Sequence, residues 1–576
     1  MPPAKKPEVE LVQPRLKELK VKNFRCIGDI PVRIELDDIV VLVGPNNVGK
    51  SSILRAYQLV MSHGSANGKL KLEDFPNGKI DPENLPAIEL ITIVSDNSPG
   101  DDWISTNDRG EMEVREQWFW DQEGAPTRQG WNVQTKDWDK KVPWGAPNVA
   151  KSRRPEPHLV SAFDTPEKQS GEITKILLTA LQDRIIAIAN KEGEEETPYK
   201  KLIEAVKTIQ KAVVEETQEE IDTIEGELRT SIQDIFPDHD LKFDAKPEED
   251  VEKTINLFGN DPELKMGLKD GYMCSIDRQG SGTRRTLLWT ALKIVSEKNR
   301  TEKNASRPHV LLLDEPELCL HPNAIREACD VLYNLPSSGN WQVMVTTHSP
   351  CFIDVSRDNT KIIRVERNTD GAIIGTTIFR PETAKLDADD KTYLKLLNLC
   401  DPYLTEFFFG GRTIIVEGDT EYTAFQYMRD LFPDEFKDIH IVRARGKAPI
   451  VSLMKIMNHF GAPYTVLHDS DTKKAMRKGK EITNPAWSMN FKILSETNNA
   501  EDTVRLVASI PNFEGAYFDA ESRGEKPYTA LEKLSEEGEF RDNVKKLLMS
   551  LIDSKNPLPP NALEWSKKKD LEGLEL

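Results

Sequence analysis

A glycine-rich segment between a strand-like run and a helix-like run constrains the fold of this chain most. Residues 39–43, IVVLV, are apolar and mostly β-branched, which predicts a buried strand, and GPNNVGKS follows at 44–51. The spacing G-x-x-x-x-G-K-S, after a strand and before a helix, is typical of a phosphate-binding loop. Its glycines let successive N–H groups turn toward an anion, and the helix adds the positive end of its dipole. The predicted nucleotide ligands in this loop are Asn46, Gly49, Lys50 and Ser51.

Three later segments complete a predicted nucleotide site. We expect Lys50 to reach the β- and γ-phosphates and Ser51 to give a hydroxyl to Mg²⁺. Apolar strands are predicted before Asp314-Glu315 and before His348, and Ser281-Gly282 precedes a helix, where a second anion can be bound. A lone histidine is more often structural than catalytic, but the position after a strand favours a phosphate sensor. The predicted roles are Asp314 for the Mg²⁺ shell, Glu315 for polarising the attacking water, and His348 for sensing the γ-phosphate.

The length and composition of the chain limit the classes of protein to which it can belong. At 576 residues the chain is too long for one hydrophobic core, so roughly two to four domains are expected. No stretch approaches the ~18 apolar residues of a membrane span, and the first residues show no secretory signal. The 6 cysteines form no C-x-x-C pair, which fits a reducing cytoplasm and predicts neither a disulfide framework nor a zinc site.

The net charge of −19 argues against a general nucleic-acid coat. Local binding remains possible, because counterion release depends on clustered Lys and Arg rather than on the sum over the chain. The densest basic run lies at 473–480, and a smaller one lies at 567–569. Such runs are more often a solvated face than a binding surface.

Changes in pattern along the chain predict four segments. Residues 1–167 and 241–405 read as two parts of one nucleotide domain, and 406–576 opens a second α/β unit with the strand Arg412–Val416. Between them, 168–240 has apolar residues at helical spacing and predicts an inserted amphipathic helical pair. This insert is either a packing layer or a dimerisation arm. Residues 95–158 predict loops and short hairpins.

Acidic residues end two predicted strands of the second unit. The strand before Glu417 leads into EGDTE at 417–421, and the strand before Asp469 ends in the D-x-D of Asp469 and Asp471. Alternate residues of a strand point the same way, so the two aspartates are expected to share one cation. Carboxylates at neighbouring strand ends suit Mg²⁺ or Mn²⁺. Taken singly, each motif is more often a turn or a helix cap.

The order of the nucleotide motifs resembles that of ABC-type ATPases, and most closely the RecF, SMC and Rad50 group. Asn23-Phe24-Arg25 before the loop is also similar to that group. The resemblance implies an ATPase head that dimerises around ATP, with the Ser281-Gly282 signature facing the loop of the other head. Thr283 and Arg284 depart from the common LSGGQ signature, and Gln182 is a candidate for the Q-loop glutamine.

The acidic motifs resemble the Toprim fold, and an ABC-type head followed by Toprim resembles the OLD (overcoming lysogenization defect) nuclease family, which includes the Gabija antiphage effector. The resemblance implies an α/β chain: a head with an inserted helical dimerisation element, followed by a Toprim domain. It also implies a lysine that stabilises the transition state, for which Lys526 in GEKP is the match, and Gly446-Lys447 is a further similar element. The metal ligands implied by the resemblance are Glu417, Glu421, Asp469, Asp471 and Glu514.

The sequence therefore predicts an ATP-regulated, Mg²⁺- or Mn²⁺-dependent DNA endonuclease that cuts double-stranded DNA. The resemblance adds a role in antiphage defence, a homodimer or higher homo-oligomer, and a defence partner protein or retron. The alternative is a structural DNA-repair ATPase, similar to SMC and Rad50 proteins, with an inactive Toprim domain. A primase or topoisomerase is a weaker third reading, because no tyrosine-nucleophile domain or zinc ribbon accompanies the motif.

Overall fold

The structure is a computed structural model. It describes residues 14–147, 150, 153–161, 165–189, 223, 226, 229–230, 239–244, 263–299, 308–338, 341–355, 357, 359–368, 370–380, 386–400, 404–409, 411–460, 463–477, 480–498, 504–518 and 526–574. Among these residues no helix is both long and apolar enough to cross a membrane.

The chain divides into two compact units. The first comprises Met1–Leu42, Asn47–Thr347 and Val365–Gly375, and the second comprises Val43–Asn46, His348–Arg364 and Thr376–Leu576.

An antiparallel sheet of seven strands occupies the N-terminal part of the first unit. The first eight strands of the chain are β1 (Arg15–Lys22), β2 (Val32–Glu35), β3 (Ile39–Val43), β4 (Ala87–Val94), β5 (Ile104–Thr106), β6 (Met112–Phe119), β7 (Thr127–Asn132) and β8 (Asp137–Asp139). Seven of them follow the order β2-β1-β4-β6-β7-β8, with β5 paired to β6. Alternating burial along β6 and β7 gives this sheet one buried face and one partly solvated face.

A second sheet carries the phosphate-binding loop. The next strands are β9 (Glu156–Val160), β10 (His239–Asp244), β11 (Glu263–Leu268), β12 (Met273–Ser275), β13 (His309–Asp314), β14 (Trp341–Thr346), β15 (Thr360–Arg367) and β16 (Ile373–Phe379). The sheet order is β16-β15-β3-β14-β13-β9, whereas β10, β11 and β12 form a small separate sheet. Strands β3, β14, β13 and β9 are parallel, and the first three are apolar runs buried along nearly their whole length. Such runs are typical of parallel strands covered on both faces.

Helices cover this parallel sheet. The first four helices are α1 (Lys50–Met61), α2 (Pro166–Ala189), α3 (Ser281–Asn299) and α4 (Pro322–Asn334). Helix α1 packs against β9 and β13, and α2 packs against α3. The buried residues of α1 recur at helical spacing, so its apolar face lies on the sheet.

The second unit is built on its own mixed sheet. Its strands are β17 (Arg412–Val416), β18 (Ile439–Arg443), β19 (Tyr464–Asp469), β20 (Lys474–Arg477), β21 (Lys480–Thr483), β22 (Val504–Ser509) and β23 (Ala562–Glu564). The order is β18-β17-β19-β22-β23, in which only β23 is antiparallel, and β20 and β21 form a separate hairpin. The helices are α5 (Ala388–Cys400), α6 (Asp419–Leu431), α7 (Pro433–Phe436), α8 (Lys447–Phe460), α9 (Pro485–Thr497), α10 (Phe513–Tyr517), α11 (Lys526–Ser535), α12 (Glu539–Ile552) and α13 (Lys568–Glu572).

Several predicted elements occur with the expected bounds. The strands predicted at 39–43 and 412–416 are β3 and β17. Residues 95–158, predicted as loops and short hairpins, instead contribute four strands to the first sheet and one to the second. Of the predicted helical insert at 168–240, the structure describes α2 and little else before β10. The dimerisation arm therefore stays a prediction.

A buried ionic triad joins β6 and β7 to the chain before β9. Glu116 is 1% exposed, and it accepts hydrogen bonds from Arg128 Nε at 2.8 Å and from Arg154 Nη2 at 2.6 Å. The Arg154 guanidinium also lies 5.0 Å from the ring centroid of Trp118. Removing the single anion would leave two buried cations without their counter-charge.

We expect Glu116→Gln to destabilise the first unit by about 3–5 kcal/mol, because an uncompensated buried charge costs that much. Urea denaturation followed by tryptophan fluorescence measures the change. The matched control is Glu73→Gln, which removes an exposed carboxylate paired with Lys71 at 3.5 Å. Equal stability of the two variants would contradict a structural role for the triad.

Candidate nucleotide and metal sites

The phosphate-binding loop leads directly into α1. Gly49 caps the helix in a left-handed conformation with φ 90°, which favours glycine, and a Cβ there would lie 3.0 Å from Cys26 Sγ. Lys50 is the first residue of α1 and is buried. Burial lowers the pKa of its ammonium, and the negative charges of Glu315, Asp314 and Glu317 oppose that shift. A buried cation facing three carboxylates is placed to receive polyphosphate.

Asp314 ends β13 and accepts two hydroxyl hydrogen bonds. Ser51 Oγ donates to Asp314 Oδ1 at 2.8 Å, and Thr346 Oγ1 donates to the same atom at 2.6 Å. The hydroxyl of Ser51 and the carboxylate of Asp314 are the oxygen donors that Mg²⁺ prefers, so these residues fit that ion. Thr346, the last residue of β14, was not predicted from the sequence.

Hydrogen bonds hold the backbone of Glu315 at both its N–H and its carbonyl group. Its φ of 46° is unusual for a residue other than glycine. The Glu315 N–H lies 3.0 Å from the Thr346 carbonyl oxygen and 3.1 Å from Thr346 Oγ1, and the Glu315 carbonyl accepts from Arg285 Nη1 at 3.1 Å. Arg285 is buried at the start of α3 and was also missed, because its partner lies 30 residues away in sequence.

The predicted signature opens α3. A Cβ on Gly282 would come within 2.7 Å of the Cys319 carbonyl oxygen, so glycine permits this close approach. Arg284, which stands where the signature glutamine is usual, is buried and donates to Gln169 Oε1 at 2.8 Å. This side chain therefore turns toward α2. The phosphate-facing roles of Ser281 and Gly282 stay predictions.

His348 lies two residues after the end of β14. Its ring lies nearly parallel to that of Phe409, at an interplanar angle of 25° and a centroid distance of 6.1 Å. This stacking fixes the imidazole on the second unit. The role as a γ-phosphate sensor stays a prediction.

A cleft of about 600 Å³ lies beside Ser51 and Asp314. Its volume falls within the roughly 300–1,000 Å³ of small-molecule sites. Its lining carries three basic side chains: Arg25 of the Asn23-Phe24-Arg25 segment, and Arg55 and Lys168, which the sequence did not single out. Burial, and then the charge of Arg25, lower the pKa of Arg55. The cleft can therefore receive an anionic ligand of nucleotide size.

The second site gathers acidic residues at the carboxyl ends of β17 and β19. The Asp469 N–H donates to Glu417 Oε2 at 3.0 Å, and Asp469 Oδ1 accepts from the Phe513 N–H at 2.8 Å. Thr420 Oγ1 donates to Glu514 Oε1 at 2.8 Å, which joins the start of α6 to α10. All five predicted metal ligands lie close enough to interact through charge with at least one other: Glu417, Glu421, Asp469, Asp471 and Glu514.

Burial and mutual repulsion raise the pKa values of three acids in this cluster. The pKa of Glu421 rises from 4.5 to about 8, mainly through burial and then through the charges of Glu417 and Glu514. Burial also raises the pKa values of Asp469 and Glu417. Fully ionised, these carboxylates would repel one another in a site that excludes water. A divalent cation would relieve that repulsion, so the donor set fits Mg²⁺ or Mn²⁺.

Asp471, the fifth predicted ligand, forms an ion pair with Lys447. Asp471 has φ 59°, and Lys447 is the first residue of α8 and is 5% exposed. The charge of Lys447 lowers the pKa values of Glu417 and Asp469 and so offsets part of their shift. The sequence marked Gly446-Lys447 as similar to the family but assigned it no site role.

Lys526 begins α11, and its Nζ lies 3.4 Å from Glu514 Oε1. Its side chain is 49% exposed, so the ammonium reaches both the acidic cluster and solvent. The predicted catalytic lysine is therefore beside the predicted metal ligands. Gly524 and Glu525 of the same motif lie outside the described residues.

His468 stabilises the carboxyl end of β19. Its Nδ1 lies 2.8 Å from the Asp469 carbonyl oxygen, and Trp565 Nε1 donates to its Nε2 at 3.1 Å. Complete burial lowers its pKa to about 3, so the ring is neutral at ordinary pH. These two contacts fix the Nδ1–H tautomer, which was not foreseen because Trp565 lies 97 residues away.

The two sites define a chain that joins a phosphate-binding-loop ATPase to a carboxylate metal site. A family model described as an AAA ATPase domain matches residues 15–98 and 134–353, more than half of the sequence. The chain belongs to this AAA ATPase domain family. A second model, described as the TOPRIM domain of overcoming lysogenization defect protein-like proteins, matches residues 408–471. The predicted fold class and the resemblance to OLD proteins are confirmed.

Two curated relatives extend over most of the chain. An OLD nuclease of Thermus scotoductus is 24% identical over 538 residues, covering 90% of this chain and 94% of that protein. The Old nuclease of Escherichia phage P2 is 23% identical over 476 residues, covering 79% and 77%. The Smc head domain with a coiled coil and joint from Pyrococcus yayanosii is 12% identical, with a TM-score of 0.42, covering 64% of this chain and 98% of that structure.

The raised pKa values give the metal-free protein a distinctive pH dependence. Because the folded pKa of Glu421 is about 8 against 4.5 when unperturbed, the folded state holds the proton more tightly than the unfolded state. The stabilisation is complete below the unfolded pKa and is lost as pH rises through the folded pKa. In EDTA, we therefore expect the unfolding temperature of the second unit to fall between about pH 5 and 8.

Thermal unfolding across this pH range measures the effect. Saturating Mg²⁺ should flatten the profile, because the cation replaces the protons, and Glu421→Gln should flatten it in EDTA. The control is Asp419→Asn, which removes an exposed carboxylate of the same motif that pairs instead with Arg443 at 3.0 Å. A profile that is equally steep in Glu421→Gln would show that this carboxyl group is not responsible.

Proposed function

We propose that this chain is an ATP-controlled, divalent-metal-dependent endonuclease that cuts double-stranded DNA. The observation that carries the proposal is the buried carboxylate cluster at the ends of β17 and β19, with Lys526 beside it. The nuclease relatives and the TOPRIM match support the same reaction class.

The side chains of the acidic site have different roles in the proposed reaction. Bound Mg²⁺ or Mn²⁺ would supply Lewis-acid activation of water and of the leaving oxygen. The residues that would hold the ions are Glu417, Glu421, Asp469, Asp471 and Glu514. Lys526 would stabilise the negative charge that develops on the scissile phosphate. Lys447 holds Asp471 and limits the net charge of the site, while His468 keeps the end of β19 in place.

Control by ATP is the second part of the proposal. Lys50, Ser51 and Asp314 would bind the nucleotide and its Mg²⁺, while Glu315 and His348 would carry out and sense hydrolysis. We propose that 406–576 forms the nuclease domain, with the head in 1–167 and 241–405 and the dimerisation insert in 168–240. Two such heads would form a homodimer or higher homo-oligomer around ATP.

The proposed setting follows from the family resemblance and the chemistry. DNA as substrate and the absence of disulfides among the described cysteines favour the cytoplasm. We also propose a role in antiphage defence, as in the Gabija system, with a partner protein or a retron. Phage challenge of cells that carry the wild-type chain, compared with cells that carry the Asp469→Asn variant, tests this role.

Cleavage of supercoiled plasmid tests the reaction and its control together. In Mg²⁺ or Mn²⁺ we expect the wild type to nick or linearise DNA, and Asp469→Asn and Lys526→Met to lose at least about 100-fold in rate. Lys50→Ala should retain the acidic site but lose any response to ATP. The control is Lys546→Met, an exposed lysine of α12.

Cleavage by Asp469→Asn at the wild-type rate would contradict the site assignment. Indifference of the wild type to ATP would refute nucleotide control. Bridging of DNA with ATP, without cuts in any metal, would favour the structural DNA-repair ATPase.

We propose that the β20–β21 hairpin binds the phosphate backbone of the DNA. It follows the D-x-D directly and carries Lys474, whose side chain is 68% exposed, and exposed Lys480. Lys473 serves another purpose, since its Nζ donates to the Glu572 and Leu574 carbonyls at 2.8 and 2.7 Å and caps the end of α13. Arg477 belongs to the same hairpin, and Lys478 lies outside the described residues.

We expect Lys480→Ala to weaken DNA binding by a similar factor for all sequences and to reduce the slope of log K against log salt by about 1. A second change, Lys474→Ala, should add a similar reduction. Fluorescence anisotropy with a labelled duplex at several salt concentrations measures both. Lys546→Ala is the control, and an unchanged slope in the hairpin variants would exclude them as phosphate contacts.

A further inference from the structure

A polar cluster lies at the opposite end of the second sheet from the phosphate-binding loop. Glu156 and His309 are the first residues of the neighbouring parallel strands β9 and β13, and they are register partners. His158 stands two residues after Glu156. Register partners in a parallel pair, and residues two apart in one strand, face the same side of a sheet. The backbone therefore brings these three side chains together.

The geometry of the three side chains is that of ligands to one ion. His158 Nε2 lies 3.2 Å from His309 Nδ1, and one ligand atom from each of the three residues lies within 4.8 Å of the others. Two imidazoles bound tetrahedrally at about 2.0–2.1 Å hold their nitrogens about 3.3 Å apart. The observed spacing therefore fits two ligands of one metal as well as a hydrogen bond between the rings.

We propose that Glu156, His158 and His309 bind a Zn²⁺ ion, with water as the fourth ligand. Two imidazole nitrogens and one carboxylate oxygen suit zinc, whereas Mg²⁺ and Mn²⁺ prefer oxygen donors throughout. The acidic cluster of the second unit offers only oxygens, so the two sites select different ions. The cysteine pattern predicted no zinc site, and the two histidines are 151 residues apart in sequence.

The surroundings indicate a structural role for the ion. His158 and His309 are 0% and 2% exposed, and the Trp341 ring covers them at centroid distances of 5.3 and 4.7 Å. Strand β9 is the edge strand of the sheet, so the ion would fasten it to β13. The chain after β9 reaches Ser161, which lines the cleft beside Ser51. The ion would thus brace one wall of that cleft from the far end of the strand.

Lys175 allows a test in which one substitution is expected to tighten metal binding and another to weaken it. Its Nζ lies 3.5 Å from Glu156 Oε1, and both side chains are partly exposed. The ammonium and the metal would compete for the same carboxylate. Removing the lysine should therefore tighten metal binding, whereas removing the carboxylate should weaken it.

The full-length chain is dialysed against a chelator, and Zn²⁺ is then added back in the presence of excess Mg²⁺. The zinc that remains bound to the protein is measured. An Asp469→Asn background weakens binding at the acidic cluster. We expect about one equivalent of tightly bound zinc by elemental analysis, and imidazole scattering in the zinc-edge X-ray absorption spectrum. Glu156→Gln should weaken zinc binding at least about tenfold, and Lys175→Met should tighten it. The control is Glu263→Gln, a strand-leading carboxylate paired with Lys265 at 3.3 Å.

Either of two results would overturn the proposal. One is zinc affinity in Glu156→Gln equal to that of the Glu263→Gln control. The other is bound zinc without imidazole scattering, which would leave the histidines as a hydrogen-bonded pair under Trp341. No nuclease or ATPase activity enters the readout, so failure here leaves the proposed function untouched.

Discussion

The cost of burying carboxylates at the ends of parallel strands governs both sites of this chain. Asp314 and Asp469 each end a buried strand and are themselves only partly exposed. In the first unit, hydroxyl donors from Ser51 and Thr346 satisfy Asp314, and Lys50 supplies positive charge nearby. In the second unit, the neighbours of Asp469 are mostly other acids, and only part of their charge is offset. The same strand-end position is therefore satisfied by hydroxyls and a lysine in one unit, whereas in the other it belongs to an acidic cluster that suits a cation.

The sequence predicted the elements whose information is local. Apolar runs such as 39–43 and 413–416 identify buried strands, because the apolar pattern that marks them lies within the run itself. The loop motif and the strand-end acids were predictable for the same reason. The groups that hold those acids were not, since Thr346 and Arg285 lie 32 and 30 residues from the positions they support. Tertiary partners of this kind leave no spacing in the sequence.

Charge patterns showed how many charged residues a segment contains, but not where their side chains point. Lys473 belongs to the densest basic run, yet it caps the end of a helix. Arg284 stands in a signature position, yet it is buried against Gln169. Residues 95–158 read as loops because Trp, Gly and Asp dominate them, although Glu116 and its two arginines hold the strands there together. In each case a long side chain satisfies a distant group, which a linear pattern does not reveal.

The D-x-D motif shows how backbone conformation changes the meaning of a pattern. Simple strand alternation would direct Asp469 and Asp471 toward one cation. The strand ends at Asp469, and the left-handed φ of 59° at Asp471 breaks the alternation. Asp471 pairs with Lys447, a nearly buried ammonium that needs a counter-charge, and the shared cation of the two aspartates stays a prediction. Because Lys447 also lowers the pKa values of Glu417 and Asp469, this ion pair sets how much negative charge remains for a bound metal to neutralise. The charge of Asp471 also raises the pKa of Glu417, so this aspartate acts on the acidic cluster both directly and through the lysine beside it.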